Sequence, residues 1–144
     1  MKHQVSMEDS ALLQALTGGR LPAESFHHRE HLQIAYALLV KHNLDQAHNK
    51  LKAGLLDFLR NNGVDTAKYH ETMTYAWLLA VWHFMHRSAP ARSFQEFIAK
   101  NPILLDKDIM YSHYSRETIG SAAARTKFVE PDLEPIPLYD DKIA

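Results

Sequence analysis

The stretch DTAKYHETMTYAWLLAVWHFMHR, residues 65 to 87, decides the fold class. Its large apolar side chains recur at intervals of three and four and cover almost the whole circumference of a helix; they are Tyr69, Met73, Tyr75, Trp77, Leu78, Val81, Trp82 and Phe84. A helix that is apolar all round belongs in the centre of a bundle, because it has no polar face to turn to water. We therefore expect a central helix that begins at Asp65 or Thr66 and ends near Arg87.

The segments around this helix show the same spacing, and no stretch alternates convincingly at the period of two that is typical of strands. Further helices are predicted over residues 7 to 16, 26 to 42, 44 to 61 and 94 to 100, with N-caps at Ser6, Ser25 and Ser93 for three of them. Residues 103 to 128 predict short helical pieces, the clearest of which follows Ser121, and the proline-rich tail 129 to 144 should lie extended over the bundle. The prediction is an all-α protein, a single helical domain over residues 1 to 144 with about four main helices.

Composition excludes several classes of function. The net charge of −1, with signs interspersed along the chain, gives no basic surface for nucleic acid. The longest apolar run, AWLLAVW at 76 to 82, is too short to span a bilayer, and the first ten residues lack an apolar signal core, so we expect a cytoplasmic protein with no membrane partner. Because the chain has no cysteine, any metal would have to bind through nitrogen and oxygen ligands.

Histidine is the unusual residue, with ten in the chain. Helical spacing puts His28 and His31 on the inward half of the second predicted helix and His70 on the inward face of the central helix, whereas His83 and His86 fall on its outward side. Short connections make these two helices parallel, so their first turns should lie at the same end of the bundle. The three inward imidazoles could then meet in one polar pocket.

One hypothesis for this pocket is a divalent-metal site for zinc, iron, manganese or nickel. The three imidazoles would be the ligands, helped by a carboxylate from Glu30 or Glu71, since helix spacings of three or four present ligands to one ion. Glu71 lies about 100° around the helix from His70, which favours a supporting role for it, with Tyr69 assisting. The structural alternative is that the histidines are core groups whose hydrogen bonds stay inside the protein.

A second hypothesis needs no metal. Neutral histidines with Tyr69 and Glu71 could bind or deprotonate a small anionic ligand, an organic acid or a phosphate. The N–H groups at the helix N-termini would bind the negative charge of that ligand. The chain could equally be a non-catalytic module that binds a protein partner. Sequence leaves open whether the protein is an enzyme, and it leaves the oligomeric state open as well.

The segment HYSRE at 113 to 117 adds His113, Tyr114 and Ser115 as further catalytic candidates in a connection between helices. No G-x-S-x-G turn or ordered triad accompanies Ser115, and a turn cap is the alternative role. Near the tail, Arg125 and Asp132 could pair with each other or tie the tail down.

Taken in order, five motifs resemble the pattern of a group of small uncharacterised bacterial helical proteins: H-x-x-H-L at 28 to 32, YHET at 69 to 72, HYS at 113 to 115, S-x-x-A-R at 121 to 125 and PDL-x-P-x-P at 131 to 137. The resemblance covers most of the chain from about residue 26 to 137. It implies a helical fold and points to a set of polar positions, but implies no reaction. The positions are His28, His31, Tyr69, His70, Glu71, Thr72, His113, Tyr114, Ser115, Arg125, Pro131 and Asp132.

Overall fold

The computed structural model describes residues 2 to 136, and over that range it confirms the all-α fold, with no strand. The α-helices are α1 (Met7–Thr17), α2 (His28–Lys41), α3 (Leu44–Asn61), α4 (Glu71–Arg87), α5 (Phe94–Lys100), α6 (Arg116–Ile119) and α7 (Ala122–Thr126). Short 3-10 helices cover Ala23–Ser25, Thr66–Lys68, Pro102–Leu105 and Lys107–Ser112. Of the tail predicted to be extended, residues 129 to 136 contain no helix, and residues 137 to 144 lie outside the described part.

Helix α4 packs against α2, α3 and α7, which is the central position that its apolar circumference predicts. Its contacts with α2 run in the same order along both helices. The His28 ring at the start of α2 lies 4.5 Å from the Trp77 ring, and Tyr36, further along α2, lies 6.0 Å from His3, whose Nε2 bonds to the carbonyl of Met85. The two helices are therefore parallel, as the short connections predicted.

Three predicted helix starts are confirmed by their caps. The Ser6 hydroxyl accepts the Asp9 N–H at 3.1 Å, and the Asp9 carboxylate accepts the Ser6 N–H at 2.9 Å, which is the reciprocal pair of a capping box. Ser93 and Ser121 cap α5 and α7 through the hydroxyl alone, which accepts the N–H of Glu96 and of Ala124 respectively. These starts are readable from sequence because both partners lie within three residues of each other.

The predicted start of the second helix is wrong. Ser25 does not cap it, because Ala23–Ser25 forms a short 3-10 helix after the extended Pro22. The α-helix begins three residues later, at His28, where the Glu30 carboxylate accepts the backbone N–H of His27 at 2.9 Å.

The predicted start of the central helix is wrong as well. Asp65 caps only the 3-10 helix Thr66–Lys68, through a bond from the Ala67 N–H. The α-helix begins at Glu71, and His70 is its N-cap. His70 therefore stands at the end of α4 and not on its inward face. Of the helices in residues 2 to 136, none has the length and apolar composition needed to cross a bilayer.

Candidate functional site

Both ring nitrogens of His70 bond within the protein. Nδ1 accepts the N–H of Met73 at 3.1 Å and so caps α4, while Nε2 lies 2.8 Å from the carbonyl of Ile119. Because Nδ1 accepts, the ring proton is on Nε2, which donates to that carbonyl. A metal could bind His70 only by displacing one of these two bonds.

His28 makes a comparable bond at the start of α2. Its Nε2 donates to the carbonyl of Leu104 at 2.9 Å, and its ring stands edge-on to Trp77. Burial lowers the pKa of His28, partly offset by this backbone bond, and the nearby Lys107 lowers it further. His28 is thus a neutral imidazole whose hydrogen bond stays inside the protein, which is the structural alternative to metal binding that the sequence offered.

His31 lies one turn further along α2. Its Nε2 is a buried atom with no hydrogen-bond partner among residues 2 to 136, and its ring centroid lies 6.0 Å from that of Phe26. Burial, and after it the neighbouring His28, lowers the pKa of His31 to about 4. The ring is therefore neutral at physiological pH.

The structure keeps His28 and His31 near each other but does not bring His70 to them. His28 lies level with Trp77, which is seven residues, or about 10 Å, along α4 from His70. Within the described range, no group of three or more His, Cys, Asp or Glu side chains is placed to hold a metal. Both ring nitrogens of His70 and Nε2 of His28 bond within the protein, so His70 could join a metal site only by giving up one of its bonds, and the metal hypothesis stays a prediction from sequence.

A different cluster forms around Glu71, the first residue of α4. Its side chain is 10% exposed; Oε1 accepts the Tyr69 hydroxyl at 2.6 Å, and Oε2 lies 3.1 Å from His48 Nε2. The contact with His48 has the distance of an ion pair without the angle of a hydrogen bond. Lys52 Nζ is 4.0 Å from Oε1. The helix N-terminus adds a partial positive charge that stabilises the carboxylate.

Within this Glu71 cluster, Tyr69 is a donor. Burial, followed by the hydrogen bond to Glu71 and the charge of Glu71, raises the pKa of Tyr69 well above its ordinary value. The phenol therefore keeps its proton and gives a short hydrogen bond to the carboxylate. The partners of Glu71 are Tyr69 and His48 and not His70, the histidine that it was predicted to support.

His48 was not among the residues singled out from sequence. It lies on α3, directly after the buried Ala47 and four residues before Lys52. That spacing places His48 and Lys52 on one face of the helix at the edge of its buried stripe, which is the signal that could have identified them.

Tyr75 connects the Glu71 cluster to a cleft. Its ring centroid lies 4.4 Å from that of His48 and 4.9 Å from that of Phe128, to which it is nearly perpendicular. The cleft has a volume of about 190 Å³ and lies between α4 and residues 128 to 136, the C-terminal segment. Its lining residues are Tyr75, Leu79, Phe128, Glu130, Pro131 and Ile136.

The HYS motif holds the C-terminal segment in place. The Tyr114 hydroxyl donates to the carbonyl of Val129 at 2.6 Å, the Ser115 N–H donates to the Asp132 carboxylate at 3.0 Å, and His113 Nδ1 lies 2.7 Å from the carbonyl of Glu134. The Ser115 hydroxyl caps α6. These bonds place the three catalytic candidates against backbone and a turn, away from the Glu71 cluster.

Two further polar residues join the C-terminal region to α4. Thr72, fully buried, donates to the carbonyl of Lys127 at 2.8 Å and accepts the N–H of Val129 at 3.1 Å. Arg125 donates to the carbonyls of Ala67 and Lys68, each at 3.3 Å, and so ties α7 to the turn before α4. In the described residues Arg125 makes no ion pair with Asp132, and the sequence-based pairing of these two side chains is not seen.

His83 and His86, which helical spacing puts on the outward side of α4, are partly buried, and His86 Nδ1 bonds to the carbonyl of Trp82 one turn earlier at 2.8 Å.

No protein-family model matches the chain, and no match was found among curated proteins or among solved structures. Function is therefore inferred from the residues themselves.

Proposed function

We propose that this protein binds a small organic molecule in the cleft between α4 and the C-terminal segment, with the Glu71 cluster as its polar support. The observation that carries the proposal is the position of Tyr75. One ring contacts His48 of the Glu71 cluster and also lines the cleft, so two side chains, Tyr75 and His48, connect a ligand in the cleft to a buried carboxylate.

The surroundings of the buried Glu71 carboxylate support a role in ligand binding. A buried carboxylate loses its hydration, and this loss is tolerated only where hydrogen bonds and opposite charges replace it. Here a phenol, an imidazole and an ammonium group surround it. Ionisable groups assembled in this way beside a concave, mainly apolar surface are typical of ligand sites.

The Glu71 cluster also has the groups for proton transfer. Tyr69 donates, Glu71 accepts, and an imidazole such as His48 can do either depending on its tautomer. The proposal concerns binding, because Tyr75 lies between these groups and the cleft.

Two sequence-based expectations accompany the proposal. The net charge of −1 supports a protein that does not bind nucleic acid, and the composition supports a cytoplasmic location.

The experiment is a fragment screen by ligand-observed NMR on the full chain and on two matched variants. Phe128→Ala removes a wall of the cleft, whereas Phe26→Ala removes a partly buried ring from an aromatic pair of the same spacing, 4.9 Å, on Phe58. We expect fragments that bind wild type and Phe26→Ala to lose binding in Phe128→Ala. Binding that survives in Phe128→Ala would place the site elsewhere, and a folded wild type that binds no fragment would leave the Glu71 cluster with a structural role only.

A further inference from the structure

We propose that the ligand of this cleft is a small organic cation, an amine or quaternary ammonium compound with a short apolar body. This inference rests on the proposed binding site and names the class of molecule that the site takes. Among the described lining residues Glu130 alone is charged, and its carboxylate has no hydrogen bond or ion pair within residues 2 to 136. It is exposed, so it can meet a ligand at the mouth of the cleft.

The aromatic walls suit the same charge. The faces of aromatic rings carry negative potential and attract ammonium groups within about 6 Å of the ring centroid. Tyr75 and Phe128 both line the cleft, with their rings at 85° to each other, so a cation in the cleft has two aromatic rings beside it. Leu79, Pro131 and Ile136 add apolar surface for the body of the ligand.

An anion fits this cleft less well than a cation. The proposed ligand therefore differs from the organic acid or phosphate that the sequence suggested. Among the described residues that line the cleft, none is a lysine, arginine or histidine. Lys52 is directed to the Glu71 cluster, where Nζ is 4.0 Å from the carboxylate and 5.9 Å from the Tyr69 ring centroid. A carboxylate or phosphate in the cleft would face the carboxylate of Glu130, and the lining within residues 2 to 136 offers no positive charge to offset it.

The volume limits the size of the ligand. The cleft has a volume of about 190 Å³, which suits a compact ligand such as a trimethylammonium group with a short substituent.

The test compares choline with 3,3-dimethylbutan-1-ol, its uncharged carbon isostere, by NMR titration of the full chain. We expect choline to bind more tightly by a factor on the order of ten, because shape is shared and only the charge differs. Glu130→Gln should weaken choline binding roughly twofold to fivefold and leave the alcohol unchanged. The matched control is Glu134→Gln, an exposed glutamate of the C-terminal segment whose side chain does not line the cleft.

Each other outcome separates the two proposals. If the alcohol binds as tightly as choline, or Glu130→Gln has no effect, the site stands and the cation class is wrong. If pivalate, the anionic relative of the same shape, binds better than choline, the cation class is wrong as well. If none of the three probes binds, the cation class is overturned, and the fragment screen decides independently whether the cleft binds anything.

Discussion

Acid is expected to destabilise the protein through His31. In the folded chain its pKa is about 4, against an ordinary value of 6.5, because the ring is buried and His28 lies beside it. The unfolded chain therefore takes up a proton on this ring as the pH falls through about 6.5, while the folded chain takes it up only near 4. The unfolded state binds more protons in this window, so the free energy of unfolding decreases as the pH falls from about 6.5 to about 4.

The size of the effect follows from the two pKa values. Their separation corresponds to about 3 kcal/mol when the whole window is crossed, and about 2 kcal/mol of that lies between pH 7 and pH 4.5. Domains of this size unfold with free energies of about 5 to 15 kcal/mol, so one imidazole would account for a large share of the acid sensitivity.

The assay is urea unfolding at pH 7 and at pH 4.5 for wild type and for His31→Leu, which fills similar space without a titrating group. The loss of stability between the two pH values should be about 2 kcal/mol smaller in the variant than in wild type. His27→Gln is the control, because the His27 side chain is 72% exposed and four residues from His31, and its loss should equal that of wild type. Equal losses in wild type and His31→Leu would refute the assignment of the acid-labile group to His31.

Two other substitutions test the polar ties to α4. Thr72→Val should cost about 1 to 3 kcal/mol, because two backbone groups of the C-terminal region lose their partner, and it should speed hydrogen exchange at the Val129 amide; unchanged exchange there would contradict the tie. His70→Ala should cost about 2 kcal/mol in urea unfolding, and His70→Asn should recover about half of it by restoring the N-cap without the bond to Ile119. Zinc should leave the Tm of the untagged wild type unchanged, whereas a zinc-dependent rise that His70→Ala abolishes would restore the metal hypothesis.

Much of the fold could be predicted because its signals are local. The caps Ser6, Ser93 and Ser121 have their partners within three residues, and the apolar circumference of α4 needs only the helical repeat to be recognised. The two wrong helix starts have a common cause. Both predicted capping residues belong to a short 3-10 helix, Ser25 as its last residue and Asp65 as its N-cap, and the α-helix begins only after a second N-cap, at His27 and His70.

The candidate site was predicted only in part, for a physical reason. Helical spacing shows on which face of a helix a residue lies. It does not show which residues of a neighbouring helix lie level with it along the helix axis. His28, level with Trp77, is therefore about two turns away from His70 although both helices are parallel. The same limit hid His48, whose significance depends on a contact with Glu71 that joins α3 to α4.

Sequence by itself determined the helical fold and the central place of α4. It also showed that polar residues near the start of α4 need hydrogen-bond partners. Tertiary structure alone decided which partners these residues have: backbone carbonyls for His28 and His70, His48 for Glu71, and the C-terminal region for Thr72. The reason is one of range. Helix formation depends on neighbours within four residues, whereas the bond from His70 to Ile119 spans 49 residues and that from His28 to Leu104 spans 76, so the axial positions of packed helices select them.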